Sequence, residues 1–243
     1  MLLFDMDGTL IDSNGIWKDV DTRFLEKRGL PYTQEYYEGV AHTIFPLAAK
    51  FTKEFCHLPE SEAAIMAEWM EMAGDIYATD VTEKPGVRAY LEQMKRRGER
   101  MAVVTSAVPV HCRAALTHLG LLPYFERIFF AQELGTEKKY PALWEKVAAA
   151  LGVSPADCTL FDDSVEAIRG AKAAGMHTVG VADPYFASTA DEMARTCDRY
   201  ISSFGERKSQ HIFAKKIKKF QTQAAKAVEK TASADRKPRI SRG

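Results

Sequence analysis

Apolar residues along this chain follow two patterns, short unbroken runs and longer stretches at helical spacing. Met1-Leu2-Leu3-Phe4, Met101-Ala102-Val103-Val104, Thr159-Leu160-Phe161 and His177-Thr178-Val179-Gly180-Val181 are runs without regular polar alternation. Such runs fit strands covered on both faces, as in a parallel sheet. Between them, Val87 to Arg97, Val108 to Leu119, Pro141 to Leu151 and Ser164 to Ala174 read as helices. Strand–helix alternation builds right-handed βαβ crossovers, so the expected class is α/β, a doubly wound, Rossmann-like parallel sheet.

Residues 13–82 break that rhythm. Ile16, Val20, Phe24 and Leu25, and later Ile65, Trp69 and Met72, repeat at helical spacing, with turns at Gly29-Leu30-Pro31 and His57-Leu58-Pro59. The expectation is a small helical unit inserted after the first strand. Residues 1–12 and 83–205 then form the core, and Lys84-Pro85-Gly86-Val87 marks the return to it.

Each apolar run empties into polar residues. The first ends in Asp5-Met6-Asp7-Gly8-Thr9, the second in Thr105-Ser106, the third in Asp162-Asp163-Ser164, and the fourth near Asp183. Ligands of open parallel sheets bind beyond the carboxyl ends of the strands, so one cleft could collect all of these. Positions i and i+2 of a strand share a side, which lets Asp5 and Asp7 face one small volume. Two crowded carboxylates repel unless a cation or a shared proton compensates, and this points to a metal site. The same residues also suit plainer duties: Thr105 and Ser106, or Asp162 to Ser164, at the start of the following helix. A Gly-x-Ser-x-Gly elbow and a His-Glu-x-x-His pair are both missing, which disfavours a serine or zinc hydrolase.

Taken together, these motifs resemble the haloacid dehalogenase-like hydrolase superfamily, in its phosphatase and phosphoglucomutase-like branch with a small helical cap. Asp5, Asp7 and Thr9 match its Asp-x-Asp-x-Thr, Thr105 its strand-ending Thr or Ser, and Asp162-Asp163 its paired acids. Lys138 matches the family lysine by spacing to Pro141 and Trp144, although Lys138-Lys139-Tyr140 replaces the usual Lys-Pro and leaves Lys139 a rival. The resemblance spans roughly residues 1 to 205 and implies phosphate-monoester hydrolysis through an aspartyl-phosphate on Asp5. It further implies Mg2+ held by Asp5, Asp163, the main-chain carbonyl of Asp7 and either directly or indirectly Asp162. Asp7 would then act as general acid and base, while Thr105 and Lys138 hold the phosphoryl oxygens. Thr9 and Ser106 join the candidate substrate contacts, with His42 in the Gly39-to-Phe45 stretch as the cap's contribution. A sugar-phosphate mutase would use the same intermediate. An acid at Asp7 argues against dehalogenation proper.

Composition refines the picture chiefly at the far end. The chain has 243 residues, 46% of them apolar, and no net charge. That neutrality conceals a division: residues 206–243 hold 12 Lys and Arg against 3 Asp and Glu, while residues 1–205 hold 21 against 30. Phe213, Ile217, Phe220, Ala224 and Val228 make the basic segment amphipathic, suited to nucleic acid, a membrane surface or an acidic protein face. Ranked ahead of these is a helix lying on the chain's own acidic surface, followed by a disordered end from about Thr231. A binding protein working through this tail is the lowest-ranked reading. Cys56, Cys112, Cys158 and Cys197 are widely spaced, as in a reduced cytoplasmic protein. No signal peptide or membrane span is expected, and the partner is a small phosphorylated metabolite.

Overall fold

The computed structural model of the chain describes residues 1–40 and 45–206. His42, most of the surrounding cap loop and the basic segment beyond residue 206 lie outside the described residues.

Six strands form one parallel sheet in the order Arg127–Phe130, Met101–Thr105, Leu2–Phe4, Thr159–Asp162, His177–Val181 and Arg199–Ile201. In chain order these are β5, β4, β1, β6, β7 and β8. The four apolar runs of the sequence are the four inner strands. The two outer strands, β5 and β8, are not among the expected elements.

Alternate residues of the inner strands serve opposite faces, as a pleated strand requires. Leu2, Phe4, Met101, Val103 and Phe161 pack with Tyr90, Leu91 and Met94 of α5 (Val87–Arg96) and Cys112 and Leu116 of α6 (Pro109–His118). Leu3, Ala102, Val104 and Leu160 pack with Leu143, Trp144 and Val147 of α7 (Pro141–Leu151) and Ile168 and Ala171 of α8 (Val165–Ala173). Both faces are therefore dry, which is why these strands read as continuous apolar runs. Phe4 is fully buried and stacks on Phe161 with ring centroids 4.8 Å apart. Burial of a side chain this size is worth about 2–3 kcal/mol.

After β1 the chain makes a tight turn and a two-residue strand, β2 (Ile11–Asp12), which pairs antiparallel with β3 (Thr82–Glu83). Between these strands lie α1 (Ile16–Glu26), α2 (Gln34–Val40), α3 (Phe45–Phe55) and α4 (Glu62–Thr79), the helical cap. Ile16, Val20, Phe24 and Leu25 are all buried in α1, and Ile65 and Trp69 in α4. Phe24 meets Trp69 edge to face at 5.6 Å. Arg28, whose guanidinium lies 3.7 Å over the Phe24 ring, reaches Glu60 at 2.9 Å and Glu68 at 2.6 Å, tying α1 to α4. No helix among the described residues is long and apolar enough to cross a membrane.

Candidate functional site

Register alone gathers the candidate residues. Phe4 is level with Val103 on one side and Phe161 on the other, so Asp5 leaves β1 where β4 and β6 also end. Asp5 N–H still donates to Phe161 O at 2.9 Å, which holds the loop against the sheet for one residue more. Thr105 closes β4 and Asp162 closes β6, both fully buried.

Asp5, Asp162 and Asp163 are buried, and one oxygen from each lies within 4.8 Å of the others. Lys138 Nζ stands 2.5 Å from Asp5 and 3.0 Å from Asp162, with its side chain 10% exposed. Burial alone would lower the pKa of Lys138, but the Asp162 and Asp5 carboxylates outweigh it and raise it. Lys139 is exposed and pairs with Glu137 at 2.9 Å, so it takes no part in this cluster. Burial raises Asp162 above the usual carboxylate range despite Lys138, and burial together with the charges of Asp5 and Asp162 raises Asp163. Three carboxylates thus share one ammonium in a dry place. Their hard, clustered oxygens fit Mg2+ and suit a softer metal poorly.

Two glycines make this arrangement possible. Gly8 has φ +70°, and a Cβ there would come within 2.1 Å of both Asn14 Nδ2 and Asp163 Oδ2. Only a residue without a side chain lets the loop cross Asp163 so closely. Gly170 of α8 does the same for the lysine: a Cβ would lie 2.2 Å from the Lys138 carbonyl oxygen. Trp144 Nε1 donates to that same oxygen at 2.7 Å, so the Lys138 backbone is held from two helices.

Asp163 accepts Thr9 Oγ1 on one oxygen at 3.1 Å and Asn14 Nδ2 on the other at 2.7 Å. Thr9 is fully buried with its hydroxyl committed to Asp163, which differs from the substrate contact expected of it. Ser106 is exposed beside the site. Thr105 Oγ1 accepts Ala107 N–H at 3.0 Å and does not cap α6, whose N-cap is Val108 with no side-chain bond. Ser164 caps α8, and Asp162 Oδ1 accepts Ser164 N–H at 2.9 Å, so these residues combine capping with their place in the cluster.

Asp7 is half-buried and is not one of the three clustered carboxylates. Its Oδ1 accepts Ser13 Oγ at 2.6 Å and Tyr77 Oη at 2.7 Å. Burial, then the charge of Asp5, pushes its pKa up to about 6, with the two hydroxyl bonds partly offsetting them. Ser13, Asn14 and Tyr77 are site residues that sequence reasoning missed. Ser13 and Asn14 directly follow the β2 strand and were within reach of a motif search, whereas nothing local marks Tyr77.

A family model described as haloacid dehalogenase-like hydrolase matches residues 2–181. The phosphorylated carbohydrates phosphatase of Thermotoga maritima is 26% identical over 178 residues, covering 73% of this chain and 82% of that protein. The GMP/IMP nucleotidase of Escherichia coli is 31% identical over 191 residues, covering 71% of this chain and 77% of that one. A solved structure, the beta-phosphoglucomutase of Clostridium difficile, matches with a TM-score of 0.65 at 19% identity, a likeness of fold that covers 92% of this chain and 98% of its own.

Proposed function

The chain belongs to the haloacid dehalogenase-like hydrolase family, and from that premise we propose a Mg2+-dependent phosphatase that works through a phosphoaspartate on Asp5. It is a phosphoric monoester hydrolase, as its curated relatives are named. The observation that carries the finer reading is the placement of Asp5: at the end of the central strand, 2.5 Å from Lys138 and inside the buried cluster of three carboxylates.

In this reading Asp5 attacks phosphorus, and its approach to an anion is eased by Lys138 and by the Thr105 hydroxyl, which hold the non-bridging oxygens. Asp5, Asp162, Asp163 and the main-chain carbonyl of Asp7 would hold Mg2+, which when bound neutralises charge between the carboxylate and the phosphoryl group. Thr9 and Asn14 orient Asp163, and Ser106 lies at the mouth as a substrate contact. Asp7 gives its proton to the leaving ester oxygen and recovers one from the water that cleaves the acyl phosphate. We take residues 1–12 and 83–205 as the core and 13–82 as the cap, divided at the β2–β3 ribbon.

The ester is that of a small phosphorylated metabolite. Its relatives differ in the alcohol they release, phosphorylated carbohydrates in one and GMP or IMP in another, so the cap decides the substrate here. A mutase would share the intermediate, but its support is likeness of fold at 19–24% identity, and hydrolysis is preferred. The test is phosphate release from a panel of metabolite monoesters, with Mg2+ or EDTA, using wild type and Asp5→Asn. Release that needs the metal and is lost in the variant supports the proposal. Release that survives EDTA or Asp5→Asn contradicts it, and conversion of a hexose phosphate to its isomer would favour the mutase.

A further inference from the structure

The proposed acid is aimed by groups that the reaction scheme does not yet use. Asp7 Oδ1 takes both neighbouring hydroxyls, Ser13 at 2.6 Å and Tyr77 at 2.7 Å. An oxygen that accepts two O–H donors has its lone pairs committed, so the proton of the neutral carboxyl belongs on Oδ2. Tyr77 reaches Asp7 from α4, the last helix of the cap and 70 residues away in the chain.

The tyrosine is itself held by the core. Its ring stacks on His111 of α6, with centroids 5.3 Å apart and planes 17° from parallel. His111 Nε2 lies 3.1 Å from Met70 O, two turns earlier on the same cap helix. Both side chains are buried, each residue 5% exposed. One imidazole thus grips α4 at two points, and the gripped ring presents its hydroxyl to a single oxygen of Asp7.

We infer that Tyr77 and His111 are positioning residues through which the seam between cap and core sets the direction of proton transfer from Asp7. This rests on the phosphatase reading above. When Asp5 forms its bond to phosphorus, the ester P–O bond breaks and its electron pair takes the Oδ2 proton, releasing the alcohol. In the second half, water oxygen bonds to phosphorus, its proton passes to Asp7 Oδ2, and the Asp5–phosphorus bond breaks to release phosphate. Both transfers use the same oxygen, and the two hydroxyl bonds to Oδ1 fix how the carboxyl is turned.

Leaving-group dependence separates this role from mere packing. A nitrophenolate departs without a proton, whereas an alkoxide needs one. In Tyr77→Phe, which keeps the ring on His111, kcat should fall about tenfold or more for glycerol phosphate but by less than about threefold for p-nitrophenyl phosphate. KM should change little for either. His111→Phe, which keeps an aromatic ring there but loses the Met70 bond, should show the same selectivity to a smaller extent. Equal losses on both esters in these variants, or no loss at all, would overturn the inference, because a structural role does not distinguish leaving groups. Wild-type protein that releases no phosphate from these esters or from any member of the metabolite panel would remove the hydrolase reading and this inference with it.

Discussion

Asp21 shows how far a single residue can depart from the solvated surface it would occupy on an isolated helix. It stands on α1, and its Oδ1 accepts the Tyr36 hydroxyl at 3.2 Å, while the same hydroxyl lies 2.9 Å from Thr52. Burial pushes its pKa up from 3.8 to about 7, with the Tyr36 bond only partly opposing. A carboxyl raised by folding binds its proton more tightly in the native state. Its contribution is therefore neutral below pH 3.8 and becomes a growing penalty as pH rises towards about 7. Asp21→Asn should accordingly be more stable than wild type above pH 7, by on the order of 1–2 kcal/mol, with the difference closing near pH 4. Thermal melts across that range would show it, and a constant difference at all pH values would contradict the assignment. Legibility at this scale depends on sequence distance. Asp5, Thr105, Asp162 and Asp163 were readable because each ends or follows an apolar strand. Tyr77 was not, since its position beside Ile76 looks like any buried face of a helix and its partner lies 70 residues earlier, in the core loop after β1.

At the scale of elements, the segment by which the chain re-enters the core after the cap is fastened by more than β3. Lys84, directly after β3, donates its backbone N–H to Leu10 O at 3.0 Å and reaches Asp183 with its ammonium at 2.5 Å. The pair is almost wholly buried, the side chains 8% and 2% exposed. Asp183 follows β7 and accepts Tyr185 N–H at 2.9 Å, so one ion pair joins the residue after β3 to the loop after β7. Lys84→Met strands a buried carboxylate and should cost about 3–5 kcal/mol in denaturant unfolding, while adding Asp183→Asn should recover most of it. Two additive losses would mean that the residues act separately. The inner strands could be read because both faces of each are covered. β5 begins with the exposed Arg127 and the half-buried Ile128, and only one of three residues in β8 is buried. Edge strands are covered on fewer sides, and they lack the continuous apolar run that signals a strand. Strand order was unreadable for another reason: it depends on which crossover goes to which side, and local patterns do not encode that.

For the whole molecule, the division of labour follows from the fold. The parallel sheet brings distant acids to one edge, the α7–α8 face supports Lys138 through Trp144 and Gly170, and the cap supplies Tyr77. Net negative charge in residues 1–205 stands against the basic residues 206–243, whose placement lies outside the described residues beyond position 206. The proposed chemistry converges on one atom, a carboxylate oxygen of Asp5, and there the decisive measurement lies. Turnover of a monoester should be quenched, the acyl phosphate reduced with borohydride, and the peptides mapped. The expected result is conversion of Asp5 to homoserine, dependent on substrate and abolished in Asp5→Asn. Continued phosphate release with no modified residue, or with the modification elsewhere, would contradict the covalent mechanism.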